Sequence, residues 1–237
     1  MSLSGLKALK NLTLNQTPHG YTILANKKDL KINNKQIVIP LKAKSFAESL
    51  IVEWQLLKEL KPSQLPLSQL YSRSIDLKDK IAKQEAIDQV VRFFMTDSLL
   101  FLPPFPSNLK EKQDSIVKPL LNSFRKSYGL TLNTTEDLFL SPEDKDREWI
   151  TNYLTNCSCI KLSALERASI TAKSALIAIA ACEQKVTPLE AATLARLETI
   201  SQIEWFGEVE DSHDVDEEFV HREMNSVSYF INELETI

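Results

Sequence analysis

Thr187-Pro-Leu-Glu190 and Ser163-Ala-Leu-Glu166 each set a hydroxyl three residues ahead of a glutamate, the spacing at which each side chain bonds the other residue's backbone N–H at a helix start. Proline at 188 strengthens the first, because its missing N–H falls where no intrahelical bond is made. The pattern predicts helices over 164–184 and 188–206, the second closed by Gly207. A third is expected over 215–235, opened by Asp214-Val-Asp-Glu217 with Asp214 as its N-cap. In that helix Val220, Met224, Val227, Ile231 and Leu234 fall on one stripe. Amphipathic helices joined by such short loops pack as an antiparallel bundle.

Upstream the periodicity changes. Tyr21-Thr-Ile-Leu24 and Gln36-Ile-Val-Ile39 are β-prone runs separated by lysines and Asn33-Asn34, and they predict an antiparallel hairpin ended by Pro40. Ser45-Phe-Ala-Glu48 repeats the capping pattern ahead of Leu50, Ile51, Trp54 and Leu57 at helical spacing. Further helices are expected between Lys78 and Leu100 and from Leu109 to Tyr128, with Gly129 taking the left-handed position past the second. Pro103, Pro104 and Pro106 mark an internal boundary, next to a possible extended run over 97–102. The fold class read from this order is α+β: a small N-terminal β-rich domain (1–44, able to recruit strands near 97–102), then a larger, mainly α-helical domain (45–237).

Glycine is scarce and dispersed. The four glycines of the 237-residue chain, Gly5, Gly20, Gly129 and Gly207, stand alone, so neither a Walker-type phosphate loop nor a G-x-G-x-x-G fingerprint can form. No G-x-S-x-G elbow or H-E-x-x-H is present. No nucleotide, no organic cofactor and no nucleophile arrangement is therefore expected. Cys157, Cys159 and Cys182 cannot all pair and are read as reduced. No apolar run reaches the length of a membrane span, and the dispersed lysines of the first 44 residues lack the arginine and aromatic interleaving of a nucleic-acid surface. Charge is divided: formal net charge is +7 up to Leu120 and −11 beyond it, so the halves attract each other or different partners.

Glu204-Trp-Phe-Gly-Glu-Val-Glu-Asp-Ser-His-Asp214 concentrates carboxylates around an aromatic pair and one histidine. Three readings stay open: a solvated loop between helix ends, a surface for a basic protein partner, or a metal site of a hydrolase built on His213 and Asp214. The partner reading singles out Glu204, Trp205, Phe206, Glu208, Glu210, Asp211 and His213, together with Glu53 and Trp54 on an earlier helix.

Val52-Glu-Trp-Gln55, Leu65-Pro-Leu-Ser-Gln-Leu70, Ser74-Ile-Asp76, Thr96-Asp97 and above all the stretch Glu198 to Asp214 resemble the mitochondrial assembly chaperones that act on the α subunit of F-type ATP synthase. The likeness extends from about Tyr21 to the C-terminus. Phe206 departs from it, standing where the family carries tryptophan before the glycine. The resemblance implies a strand-rich N-terminal part, a helical remainder, residence in the mitochondrial matrix and no catalysis. It implies that the protein holds the unassembled α subunit against aggregation until the β subunit displaces it.

Overall fold

The structure is a computed structural model that describes residues 11–32, 35–56, 64–137, 139–207 and 212–235, with only the backbone of Ser212 and His213. Its N-terminal part holds a three-stranded antiparallel sheet, β1 (Leu12–Thr17), β2 (Gly20–Ala25) and β3 (Lys28–Asp29), and a two-stranded ribbon, β4 (Lys31–Ile32) and β5 (Lys35–Gln36). The expected pairing of Tyr21-Thr-Ile-Leu24 with Gln36-Ile-Val-Ile39 shrinks to one bridge, in which Tyr21 and Ile39 exchange N–H···O bonds of 2.7 and 2.8 Å. The partner of β2 along its length is β1, in register Leu12 to Ala25 through Thr17 to Gly20. Gly20, at φ +145°, permits the bridge, since a Cβ there would lie 2.3 Å from the Ile39 carbonyl oxygen.

Among the described residues eleven helices follow: α1 (Lys44–Gln55), α2 (Pro66–Asp76), α3 (Lys80–Met95), α4 (Ser107–Lys112), α5 (Lys118–Tyr128), α6 (Asp144–Thr155), α7 (Cys159–Ala172), α8 (Ala175–Cys182), α9 (Pro188–Ala195), α10 (Leu197–Phe206) and α11 (Ser212–Leu234). A π turn at Gln113–Val117 joins α4 to α5, so the helix expected from Leu109 to Tyr128 runs through, and Gly129 closes it at φ +68°. The 97–102 segment does not join the N-terminal sheet. After a 3-10 turn at Ser98–Leu100 it bridges Thr135, with Leu102 N–H to Thr135 O at 2.8 Å and Thr135 N–H to Leu100 O at 2.9 Å.

Five expectations about helix ends are corrected. Thr187 forms the reciprocal cap with Glu190, but Ser45 lies inside α1, whose N-cap is Ala43, and Ser163 lies inside α7, which Ser158 caps by accepting the Lys161 N–H at 3.0 Å. The expected 164–184 helix is broken at Lys173, φ +54°, because the start of α8 has its own acceptors: Ser174 Oγ takes the Ile177 N–H at 3.0 Å and Asp97 takes the Leu176 N–H at 2.9 Å. Likewise 188–206 divides at Arg196. The third helix begins at Ser212, which puts Asp214 in the first turn instead of at the cap.

One hydrophobic core unites sheet and helices. All eight residues of α8 are buried, and α7, α9 and α11 pack around it. The predicted α11 stripe points inward, joined by Phe230 and by Glu223, a fully buried carboxylate that accepts from Arg167 Nε at 2.6 Å. The opposed charges of the two halves meet in ion pairs: Arg73 binds Glu166 through two 2.7 Å bonds, and Lys112 binds Glu204. Cys157, Cys159 and Cys182 are free thiols. Burial pushes the Cys157 thiol up to about 11 and that of Cys182 up to about 12, which keeps both protonated and unreactive at neutral pH.

Candidate functional site: an acidic, aromatic helix end

α10 ends in Glu204-Trp-Phe206 with Gly207 at φ +89° closing it. Trp205 is 60% and Phe206 82% exposed, and among the described residues neither ring has an aromatic partner. Beside them Glu204 accepts from Lys112 Nζ at 2.7 and 2.8 Å and from Asn108 Nδ2 at 3.0 Å. The Lys112 ammonium, then the Asn108 amide, hold the Glu204 carboxyl below its ordinary value. Asn108 also donates to Ser201 O at 3.1 Å and accepts from Ser201 Oγ at 2.9 Å, so α4 fixes the last turns of α10 against it. The aromatic pair therefore projects from a braced helix end.

α11 is anchored from the other direction. Arg196, 5% exposed at the junction of α9 and α10, reaches Asp216 through Nε at 3.1 Å and Glu217 through Nη1 at 2.7 Å. Asp216 and Glu217 thus tie the early turns of α11 to the α9–α10 junction. Val215, between the clamps, is exposed. Glu208, Glu210 and Asp211, and the side chain of His213, lie outside the described residues. Among the described residues no cluster of three histidine, cysteine or carboxylate side chains has the arrangement to hold a metal ion.

Glu53 and Trp54 are brought to a different place. Trp54 is 5% exposed and donates its Nε1–H to Ser68 Oγ at 2.7 Å. Glu53 receives the Leu67 N–H at 2.7 Å, the Ser68 N–H at 3.0 Å and the Ser68 hydroxyl at 2.6 Å, so it caps α2 from across the α1–α2 junction. Burial pushes its carboxyl above the ordinary value despite these bonds, and the nearby Glu223 charge adds to the push. Both residues serve α1–α2 packing. Sequence reasoning missed the exposed neighbours Val52 on the same helix and Leu56 just past its end, and the bracing residues Asn108, Lys112 and Arg196, whose partners lie far off in sequence.

Comparison with known proteins places this architecture. The family model described as ATP12 chaperone protein matches residues 7–125, half of the chain. The chain belongs to the ATP12 chaperone family. Relatives in this family include the mitochondrial atp12 protein of Schizosaccharomyces pombe, 27% identical over 205 residues that cover 82% of this chain and 70% of the relative. The mitochondrial ATP12 protein of Saccharomyces cerevisiae is 27% identical over 256 aligned residues, covering 84% of this chain and 77% of the relative. Among solved structures, the crystal structure of Atp12 from Paracoccus denitrificans superposes with a TM-score of 0.78 over 94% of this chain and 95% of its own, at 17% identity, a likeness of fold. The α+β order of small sheets followed by helices is thus the ATP12 fold. No helix among the described residues is long and apolar enough to cross a membrane.

Proposed function

We propose that this protein is an assembly chaperone of F-type ATP synthase in the mitochondrial matrix, which holds the unassembled α subunit until the β subunit displaces it. Membership of the ATP12 chaperone family and the mitochondrial names of both yeast relatives support the reading. The observation that carries it is the exposed Trp205-Phe206 pair on a braced helix end, a large apolar surface turned outward beside a carboxylate-rich segment. Glu204, Trp205, Phe206, Glu208, Glu210, Asp211 and His213 are the partner-binding residues of this reading. A holder works by mass action. Micromolar affinity, about −8 kcal/mol, lowers the free client available for aggregation, and competition by the β subunit releases it without nucleotide hydrolysis.

The test dilutes unfolded α subunit into buffer with and without the protein and records light scattering, with the β subunit as a second client. Suppression for α alone is expected, and the Trp205→Ala/Phe206→Ala protein should lose it while keeping its circular dichroism. Equal scattering with and without the protein would overturn the proposal.

A further inference from the structure

α11 runs from the acidic segment to the N-terminal part of the molecule, and its outer face connects the two regions that the sequence singled out. Asp214, Glu217, Glu218 and His221 line a shallow surface at its first turns. Glu218, Arg222 and Ser226 belong to that surface and also to a groove of about 780 Å³ between α11 and the α1–α2 junction. Val52 (51% exposed) on α1 and Leu56 (76% exposed), one turn further at the C-cap of α1, form an apolar wall of the groove, which Pro66 and Leu67 also line. Tyr229 closes the far end and shares a 2.6 Å hydrogen bond with Ser49.

The charge along this strip is one-sided. Among the described residues its lining carries the carboxylates Glu53, Asp214, Glu217 and Glu218 against the guanidinium of Arg222 and the imidazole of His221. Arg222 lies over the Phe219 ring, 5.7 Å from its centroid. Glu217 is shared with Arg196 and His221. Behind the wall, the carboxylates of Glu53 and Glu223 are close enough to repel, and Glu223 Oε1 has no hydrogen-bond partner among the described residues. Negative potential with an apolar wall at one end suits a cation-bearing amphipathic ligand, and two exposed side chains a turn apart match anchors spaced at i and i+4.

We infer that the outer face of α11 and the groove it forms with α1 are a docking strip for a basic amphipathic helix of the client, with apolar anchors against Val52 and Leu56 and lysines or arginines toward Asp214 and Glu218. The inference rests on the chaperone reading for the identity of the client, and on the strip itself for the chemistry. Asp214 and Tyr229 stand fifteen residues apart on α11, so the strip spans about 22 Å, or about four turns of a bound helix.

The experiment has two arms on the full chain. In the first, fluorescence anisotropy follows a synthetic amphipathic peptide of about 18 residues, made with leucine on one face and lysine on the other, beside its twin with glutamate in place of lysine. The lysine peptide binds and the glutamate twin does not; Leu56→Asp and Glu218→Lys each weaken binding about tenfold or more, while Ile81→Asp, an exposed site on α3, leaves it within about twofold. Circular dichroism and Tm confirm that each variant folds. In the second arm, unassembled α subunit replaces the peptide.

Equal binding of the two peptides, or lysine-peptide binding unmoved by both Leu56→Asp and Glu218→Lys, overturns the inference. Concentration-dependent self-association abolished by Leu56→Asp also overturns it, in favour of a second copy of this chain in the groove. Peptide binding as expected with no α-subunit complex supports the strip and removes the chaperone reading. α-subunit binding lost in Trp205→Ala/Phe206→Ala but retained in Leu56→Asp and Glu218→Lys keeps that reading and overturns the strip.

Discussion

Replacing Asp97 by asparagine should change the pH dependence of stability by an amount set by burial. The Asp97 side chain is fully buried and accepts the backbone N–H groups of Leu99 at 3.1 Å and Leu176 at 2.9 Å, tying the 3-10 turn to the start of α8. Desolvation outweighs those bonds and pushes its pKa from 3.8 up to about 6. The folded state then holds a proton that the unfolded chain releases between pH 3.8 and about 6, so this group's contribution falls as pH rises through that window. A rise of about two units at about 1.4 kcal/mol each amounts to about 3 kcal/mol, fully lost above about pH 6. Asparagine keeps one acceptor and cannot titrate. Urea unfolding at pH 4, 5, 6 and 7, followed by circular dichroism, gives the stability difference between the two proteins, in which all other titrations cancel. The native protein should gain about 2.5 kcal/mol on Asp97→Asn as pH falls from 7 to 4, the remainder of the full amount appearing only below pH 3.8. A difference that stays constant across that range, or changes in the opposite direction, refutes the desolvation argument.

Thr187→Ala removes a formed cap and should cost about 1 kcal/mol in urea unfolding, whereas Ser45→Ala, in the same motif without the cap, should cost less than about 0.5 kcal/mol. Trp54→Phe deletes the bond to Ser68 and should lower stability by about 1 kcal/mol while leaving client affinity unchanged, which titration calorimetry checks. Iodoacetamide at pH 8 should modify Cys159 well before Cys157 or Cys182, whose thiols burial holds protonated; mass spectrometry of tryptic peptides reads the order.

The three S/T-x-x-E sequences show how far local reading reaches. Each offers about 1 kcal/mol of capping, and only at Thr187 does nothing larger compete. At Ser163 the hydroxyl bonds Leu70 O at 2.8 Å and Glu166 grips Arg73, so tertiary bonds claim both halves of the motif. The strand β1 went unread because Leu12-Thr-Leu-Asn-Gln-Thr17 is half polar and gains its strand character by pairing with β2. Periodicity found the inward stripe of α11 because five apolar positions agree on one direction, but it reported nothing about the outer face.

The candidate site was legible in part for the same reason, as far as exposure goes. A run such as Glu204-Trp-Phe is unusual enough to be noticed, and the aromatic pair is exposed as a partner surface requires. Trp54 was equally noticeable and is buried, because Ser68, fourteen residues away, supplies its polar partner. The clamps that set the geometry, Lys112 to Glu204 and Arg196 to Asp216 and Glu217, join residues too far apart for any spacing rule.

α11 packs its inner face against α1, α2, α7, α8 and α9. Its amides should therefore exchange hydrogen only when much of the molecule opens, as part of one cooperative unit with α7 and α9. A partner that lands on its outer face meets a surface ordered beforehand and gives up little chain entropy in forming the complex. Occupancy of that one helix should then slow exchange in helices the partner never touches, so a bound client would register as protection throughout the bundle.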